Sequence, residues 1–378
     1  MYILLSPFYF FRSGLPQIAD FLVVAFIIVF LIKNNFEVYT LKKGNPLNFL
    51  FLFVIWAFVI TLFWVIIINN ISIIIYPVYY LYNFLFIYFL YILYEKNMNI
   101  LPIIFKTTCF SLIIQFLLSF FVIDPSSFRQ VIFFNNPNQL GYFALTSTTI
   151  FLFLSEYFKM NKILFALTLL SGIYLTFLSL SNAAMIALFL LLIVHFFKFF
   201  KRSLKYLVLF LVLLSILFPF IPEDSLITTI TNNVYLRITS IPEESDASLA
   251  KRGYDRIVNH PEFWFFGAGE GGFQRFESVL GGEIHSSWGT IFFSYGLIGT
   301  LLFLLFFLNV FEYKKNFFYF LPGFFYGLAH QGLRSTEFWI LLFIFYVSYE
   351  MKISRTHEKN IGYLTKCEKS SLNSLNRY

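Results

Sequence analysis

The chain has 378 residues, 59% of them hydrophobic and only 12% charged, with a formal net charge of +7. Soluble domains carry charge on about a quarter of their residues, so this composition excludes a water-soluble globular protein and points to one built for a bilayer. The positive excess must first be divided by side of the membrane before it says anything about partners, and two cysteines, Cys109 and Cys367, give neither a disulfide framework nor a cysteine metal site.

Apolar runs of about 17 to 25 residues recur along the chain, each long enough to cross ~30 Å of hydrocarbon as a helix. They lack the ten-residue alternation of a membrane barrel. The expected fold is therefore all-α, a polytopic transmembrane helical protein. Eleven spans are predicted, at 16–32, 47–68, 72–94, 100–123, 139–158, 162–180, 183–199, 204–221, 287–311, 317–333 and 337–351. The apolar run Met1–Phe11 has no basic start and no small-residue cleavage site, which argues against a cleaved signal peptide. Read as a short first span, it makes twelve. The 56 phenylalanines carry no further message, because a lipid-facing helix accepts any apolar side chain.

Four regions follow: N-terminal helices over 1–221, one large polar loop over 222–286, C-terminal helices over 287–351, and a basic Ser/Asn-rich tail over 352–378. Lysine-bearing connections, such as those with Lys42 and Lys43 or Lys314 and Lys315, alternate with connections almost free of charge. The positive-inside rule puts the lysine side and the tail in the cytoplasm and the large loop outside. Of the basic residues so assigned to the outside, seven are arginines and one is a lysine. A planar guanidinium fork matches phosphate and carboxylate, so that outer face is suited to anions.

Three stretches carry candidate chemistry. Phe133–Gly141 reads FFNNPNQLG, a turn followed by a helix entry. There Asn135 and Asn138 stand where a side chain can cap backbone N–H groups, and where the helix dipole can receive an anionic oxygen. A plain helix start explains the same residues. Ser248–Phe273 reads as a short basic helix ended by His260-Pro261, then an aromatic run and the glycine-rich turn GAGEGG. On a helix, Arg252 and Arg256 share one face and could grip two oxygens of one diphosphate. The loop also holds ten carboxylates, so local ion pairing is the competing explanation. The glycine-rich turn has no strand-to-helix context and is weak as a phosphate cradle.

Third, His285-Ser286-Ser287 stands where the loop re-enters the apolar region. The serines can cap the next span, and an imidazole there can take a proton from a hydroxyl near neutral pH. A polar boundary residue is the bland alternative. Arg237, His330 and Arg334 could complete such a site. No DxD, HExxH, CxxC or GxSxG pattern occurs, so neither a metal nor a cofactor is expected. The ionisable residues nearest the spans, Asp20, Lys106, Glu156 and His195, lie near predicted span ends. That counts against the rival class of a transporter with a polar path at mid-depth.

Taken in order, NNPNQLG, SLSNAA, an arginine segment running into FGAGEGGF, and IHSSWGTIFFSYGLIG resemble the O-antigen polymerase and O-antigen ligase superfamily. His285-Ser286, nine residues, Gly296, two residues, Gly299 is similar to the terminal ligase motif; Arg256, ten residues, Gly267 is similar to a polymerase motif. Arg129 to Gly141 misses the latter spacing by one. The resemblance implies a GT-C-like polytopic enzyme of the bacterial inner membrane, with its active site facing the periplasm through one large extracytoplasmic loop. It implies metal-independent, inverting glycosyl transfer from an undecaprenyl-diphosphate-linked oligosaccharide, with no nucleic acid involved. His285 would be the base and Arg252 and Arg256 the diphosphate ligands, with Arg237 and Arg334 in support. It sits closer to the polymerases; a ligase acting on lipid A core and a lipid-linked glycan transporter are the alternatives. A chain-length regulator and a flippase would be the expected protein partners.

Overall fold

A computed structural model describes residues 1–34, 40–96, 99–124, 127–198, 226–240, 249–276, 281–311 and 316–348. Among these residues the chain is all-helical and has no strand. A single turn, α1 (Tyr2–Leu5), precedes α2 (Ile18–Lys33), α3 (Leu47–Ile68), α4 (Ile75–Glu95) and α5 (Ile100–Val122). Then come α6 (Pro137–Leu154), α7 (Lys162–Leu178) and α8 (Asn182–Lys198). Beyond the undescribed stretch lie α9 (Leu226–Ser240), the short α10 (Asp255–Asn259), α11 (Ser287–Val310), α12 (Asn316–Ala329) and α13 (Thr336–Ser348). Each expected span that falls on described residues meets a helix beginning within a few residues of it. The expected span at 204–221, parts of the large loop and the tail lie outside the described residues.

Among the described residues four helical stretches are long and apolar enough to cross a membrane: Leu47–Ile68, Ile71–Glu95, Ile100–Val122 and Ser287–Val310. Other expected spans are shorter, 16 residues in α2 and 17 in each of α7 and α8. Length and composition thus single out four of the eleven. The apolar run at the N-terminus is not a helical span, because its only helix is the four-residue α1. The rest of it lies extended along the strap before α6: Tyr9 N–H donates to the Phe133 carbonyl at 3.0 Å, and the Gln17 amide oxygen accepts from Phe10 and Phe11 N–H.

Burial sorts the helices. Helix α3 has the highest mean hydropathy of the four, 3.0, yet only 28% of that window is buried. Its Phe63, Ile66 and Ile67 point away from the protein, which is favourable only against an apolar surrounding. Helices α6 and α13 are the opposite. Leu140 to Leu154 and Thr336 to Ser348 are buried throughout, as expected of helices enclosed on all sides. The hydroxyls of Thr148 and Thr149 are satisfied inside α6 by the Ala144 and Leu145 carbonyls at 2.7 and 2.8 Å. Helix α13 is held by Tyr346, whose hydroxyl accepts from Asn45 at 3.0 Å, and by Trp339, which stacks on Phe306.

The direction of α6 defines two ends of the bundle. Its first turn, the start of α11 and the end of α12 meet at one end. At the other, the Tyr319 hydroxyl donates to Glu156 at 2.6 Å and lies 2.8 Å from His195 Nδ1.

Candidate functional site

The site is framed by a break in α11. At Gly296 the backbone leaves the helix (φ 65, ψ −168), nine residues beyond Ser287. A break frees carbonyls and an N–H that must find other partners. The glycine-rich turn and α3 supply them. Ala268 and Gly269 N–H donate to the Phe293 and Ser294 carbonyls, both at 2.8 Å, and Leu297 N–H donates to the Trp264 carbonyl at 2.7 Å. The Trp56 indole donates to the Tyr295 carbonyl at 2.8 Å. The GAGEGG turn is thus not available as a phosphate cradle at Ala268 and Gly269, because those amides complete a broken helix.

The same turn delivers Glu270 into the interior, where only 2% of it is exposed. Arg334 Nη2 donates to Glu270 Oε1 at 2.6 Å, and Tyr295 and Tyr80 hydroxyls donate to Oε2 at 3.0 and 3.4 Å. Arg334 Nη2 also lies 2.5 Å from Glu283. Burial disfavours the Arg334 charge, but Glu270 and Glu283 outweigh it and hold the guanidinium above its ordinary pKa. With two carboxylates on one cation, Arg334 has no positive charge to spare for a substrate.

The expected pairing of Arg252 with Arg256 is corrected. Gly253, at φ 81, separates a 3-10 turn ending at Arg252 from α10, so no continuous helix puts both on one face. Arg256 is fully buried between the Phe273 and Phe276 rings, 5.6 and 5.8 Å from their centroids. It lines a small pocket with Glu270, Glu283, Thr290 and Ser294. Arg252 turns the other way and donates to the Ala329 carbonyl at the end of α12 at 2.5 Å. Arg275 is structural: it donates to the Ala268 and Gly271 carbonyls and lies over Trp64 at 4.3 Å.

A second cluster forms around His285, with Arg252 and Arg129 as its cations. His285 N–H donates to the Arg252 carbonyl at 2.9 Å, which ties the exposed imidazole to the arginine turn. Ser286 caps α11 by accepting from Gly289 N–H at 3.0 Å, as its position before an apolar run predicts. Its neighbour Ser287 donates to the His330 carbonyl at 3.0 Å and accepts from Gly332 N–H at 2.8 Å, so the start of α11 is stitched to the end of α12. That brings His330 beside His285. Burial lowers the His330 pKa to about 4, and Arg252, His285 and Arg129 push in the same direction.

Arg129 reaches this cluster from the strap before α6. It donates to Asn138 Oδ1 at 2.8 Å and to the Ser179 carbonyl at 3.2 Å. Burial and then Arg237, on α9, lower its pKa, so Arg237 adds positive charge to the same region. The cap of α6 is Asn136, which accepts from Gln139 N–H at 3.0 Å. Asn138 is occupied with Arg129, and Asn135 donates to the Phe11 carbonyl at 2.8 Å, which fixes the N-terminal segment and leaves its side chain away from the cluster. The aromatic floor is Tyr326, 5.1 Å from the His330 ring, with its hydroxyl donating to the Asn138 carbonyl at 3.2 Å.

Of the expected site residues, His285, Arg252, Arg237 and Asn138 belong to the positive cluster. Arg334 and Arg256 belong to the carboxylate-rich one, and Asn135 to neither. Arg129 joins the positive cluster although its glycine spacing is off by one. Its signal was its place one strap ahead of a capped helix start. Glu270 had no distinguishing signal among the loop acids. Among the described residues no group of histidine, cysteine and acid side chains could hold a metal ion. No family model matches the chain, and no curated protein matches it.

Proposed function

We propose that the chain is an O-antigen or other surface-polysaccharide polymerase, a GT-C-like glycosyltransferase of the bacterial inner membrane working at the periplasmic face. It joins repeat units carried on undecaprenyl diphosphate. The observation that carries this reading is the positive cluster itself. Arg129, Arg252, His285 and His330 gather where two helices, α6 and α11, present their N-terminal ends. Arginines joined to helix N-termini are suited to a diphosphate, and the neighbouring Arg334, already matched by two carboxylates, offers the contrast.

In the proposed reaction the donor diphosphate lies between Arg129 and Arg252. The exposed His285 imidazole takes the proton of an acceptor sugar hydroxyl, whose oxygen attacks the anomeric carbon. The bond from that carbon to the diphosphate breaks, its electron pair leaves on the phosphate oxygen, and the arginines stabilise the charge that develops there. One direct displacement inverts the anomeric centre. The large loop acts as an extracytoplasmic cover fixed by Glu270, Arg256 and Arg275.

The test is incubation of the purified protein with lipid-linked repeat units. Longer glycans are expected, and His285→Ala should give none while inserting normally. Full-length polymer from that variant would remove His285 from the chemistry. Transfer to lipid A core in place of chain growth would make the protein a ligase.

A further inference from the structure

His330 has no part in the displacement just described, yet it sits at the centre of the charges that would hold the donor. Its position is fixed from several elements. The carbonyl accepts from Ser287 N–H at 3.2 Å and from the Ser287 hydroxyl at 3.0 Å at the start of α11. Its own N–H closes the last turn of α12 on the Tyr326 carbonyl at 3.0 Å, and the Tyr326 ring packs on the imidazole at 5.1 Å. Three other segments meet it: Arg252 donates to the carbonyl of the preceding residue, Ala329, at 2.5 Å; His285 N–H donates to the Arg252 carbonyl at 2.9 Å; and Arg129 holds Asn138, whose carbonyl accepts from the Tyr326 hydroxyl. Among the described acids nearest in sequence, Glu283 is engaged by Arg334 and Glu337 lies beside the Ser335 hydroxyl.

A histidine confined among cations stays neutral until a negative charge enters. An anion that neutralises the arginines removes the repulsion that kept the ring unprotonated, and the imidazolium so formed gains a charge-assisted hydrogen bond to the same anion. Anion binding and proton binding are then linked, and each strengthens the other by the same factor.

We propose that His330 is a proton-linked anion ligand: it takes up one proton from solvent when an anionic phosphate group enters between Arg129, Arg252 and His285, and it then donates to that group. This rests on the reading of the cluster as the diphosphate site. The depressed His330 pKa of about 4 leaves room for such uptake at neutral pH. On product departure the arginines again disfavour the imidazolium and the proton returns to solvent. The device favours anionic ligands that arrive without a bound metal ion, because a metal-masked diphosphate would not neutralise the arginines.

The probe is inorganic sulfate, whose own protons do not titrate near neutrality. Its affinity is measured on the full-length protein in detergent from about pH 7 to about pH 5, in a His285→Gln background so that His330 is the histidine reporting. The expected affinity rises about tenfold or more on acidification, with a limit of tenfold per pH unit for one linked proton. In His285→Gln/His330→Gln it should stay level within about twofold, with unfolding temperature as the check that both proteins are folded. If His330→Gln does not fold, net proton uptake on adding sulfate to weakly buffered His285→Gln protein gives the same reading. Sulfate binding that is level with pH in His285→Gln, or absent altogether, overturns the proposal. Level binding leaves the polymerase reading intact, and chain growth on lipid-linked units judges that reading separately.

Discussion

Gly267 and Gly296 stand backbone to backbone: a Cβ placed on Gly296 would fall 2.6 Å from the Gly267 nitrogen and 2.4 Å from the Phe265 carbonyl oxygen. Gly267, which closes the loop motif, and Gly296, the first glycine of the α11 motif, are therefore one structural feature. Each leaves the space through which the loop backbone reaches the broken helix.

Gly296→Ala should unfold more readily than the parent. The residue sits at φ 65, ψ −168, a region essentially restricted to glycine, and forcing an L side chain there costs about 1–3 kcal/mol before the clash with Phe265 is counted. Thermal unfolding in detergent measures it. An unchanged midpoint would mean that the loop does not lock into the helix break.

Glu270 and Arg334 should behave as a coupled pair. Glu270→Gln leaves the half-buried Arg334 guanidinium with Glu283 alone, and breaking a fully buried pair from one side costs about 3–5 kcal/mol, an upper bound here. Arg334→Gln should cost a similar amount by leaving two carboxylates facing each other. The double variant should cost clearly less than the sum of the two, as residues in one network do. Additive losses in a double-mutant cycle would show that the contact contributes little.

Activity should divide the arginines along the lines of their partners. Arg129→Ala and Arg252→Ala are expected to lower chain growth by about tenfold to a hundredfold each, the loss of a charge-assisted contact worth about 1.5–3 kcal/mol, with little change in unfolding temperature. Arg256→Ala should instead lower the unfolding temperature, because the side chain fills the space between Phe273 and Phe276. The comparison needs initial rates and unfolding temperatures on the same preparations. A folded, fully active Arg252→Ala would remove the diphosphate role.

Stability should fall on acidification, and His330 should account for part of the fall. Its folded pKa of about 4 lies below the ordinary 6.5. Between those values the unfolded chain binds the extra proton, so the contribution is fully present above about pH 6.5 and is lost as pH drops toward 4. His330→Gln should flatten this part of the profile, and sulfate should restore stability to the parent at low pH. Identical pH profiles for parent and variant would contradict the burial of a neutral ring.

Much of the fold was legible because hydropathy acts over a single helix. A run of apolar side chains fixes where a span begins and ends whatever its neighbours do, and the starts of α3, α5 and α7 fall on the expected residues. Ser286 was legible for the same reason, since a cap reaches only three residues ahead. The single turn of α1 was not foreseen. An apolar run can as well dock along other segments as form a helix, and here the Ser111 hydroxyl donates to the Ile3 carbonyl and the Phe133 carbonyl accepts from Tyr9 N–H.

The site was legible in its residue types and not in their pairing. Arg252 and Arg256 share a face only if the helix continues through Gly253, and a left-handed glycine ends it. Arg334 stood among the anion ligands until two acids from a distant loop proved to occupy it.

The sequence by itself determined that this chain is helical, where its described spans start, and that arginines and a histidine gather at one end. Only the tertiary structure decided which of those cations the described acids match. Hydrophobic patterning is set by covalent neighbours, whereas a charge is neutralised only by groups within a few ångströms. In this protein those groups, Glu270 and Glu283 for Arg334, come from segments that only the helix packing brings together.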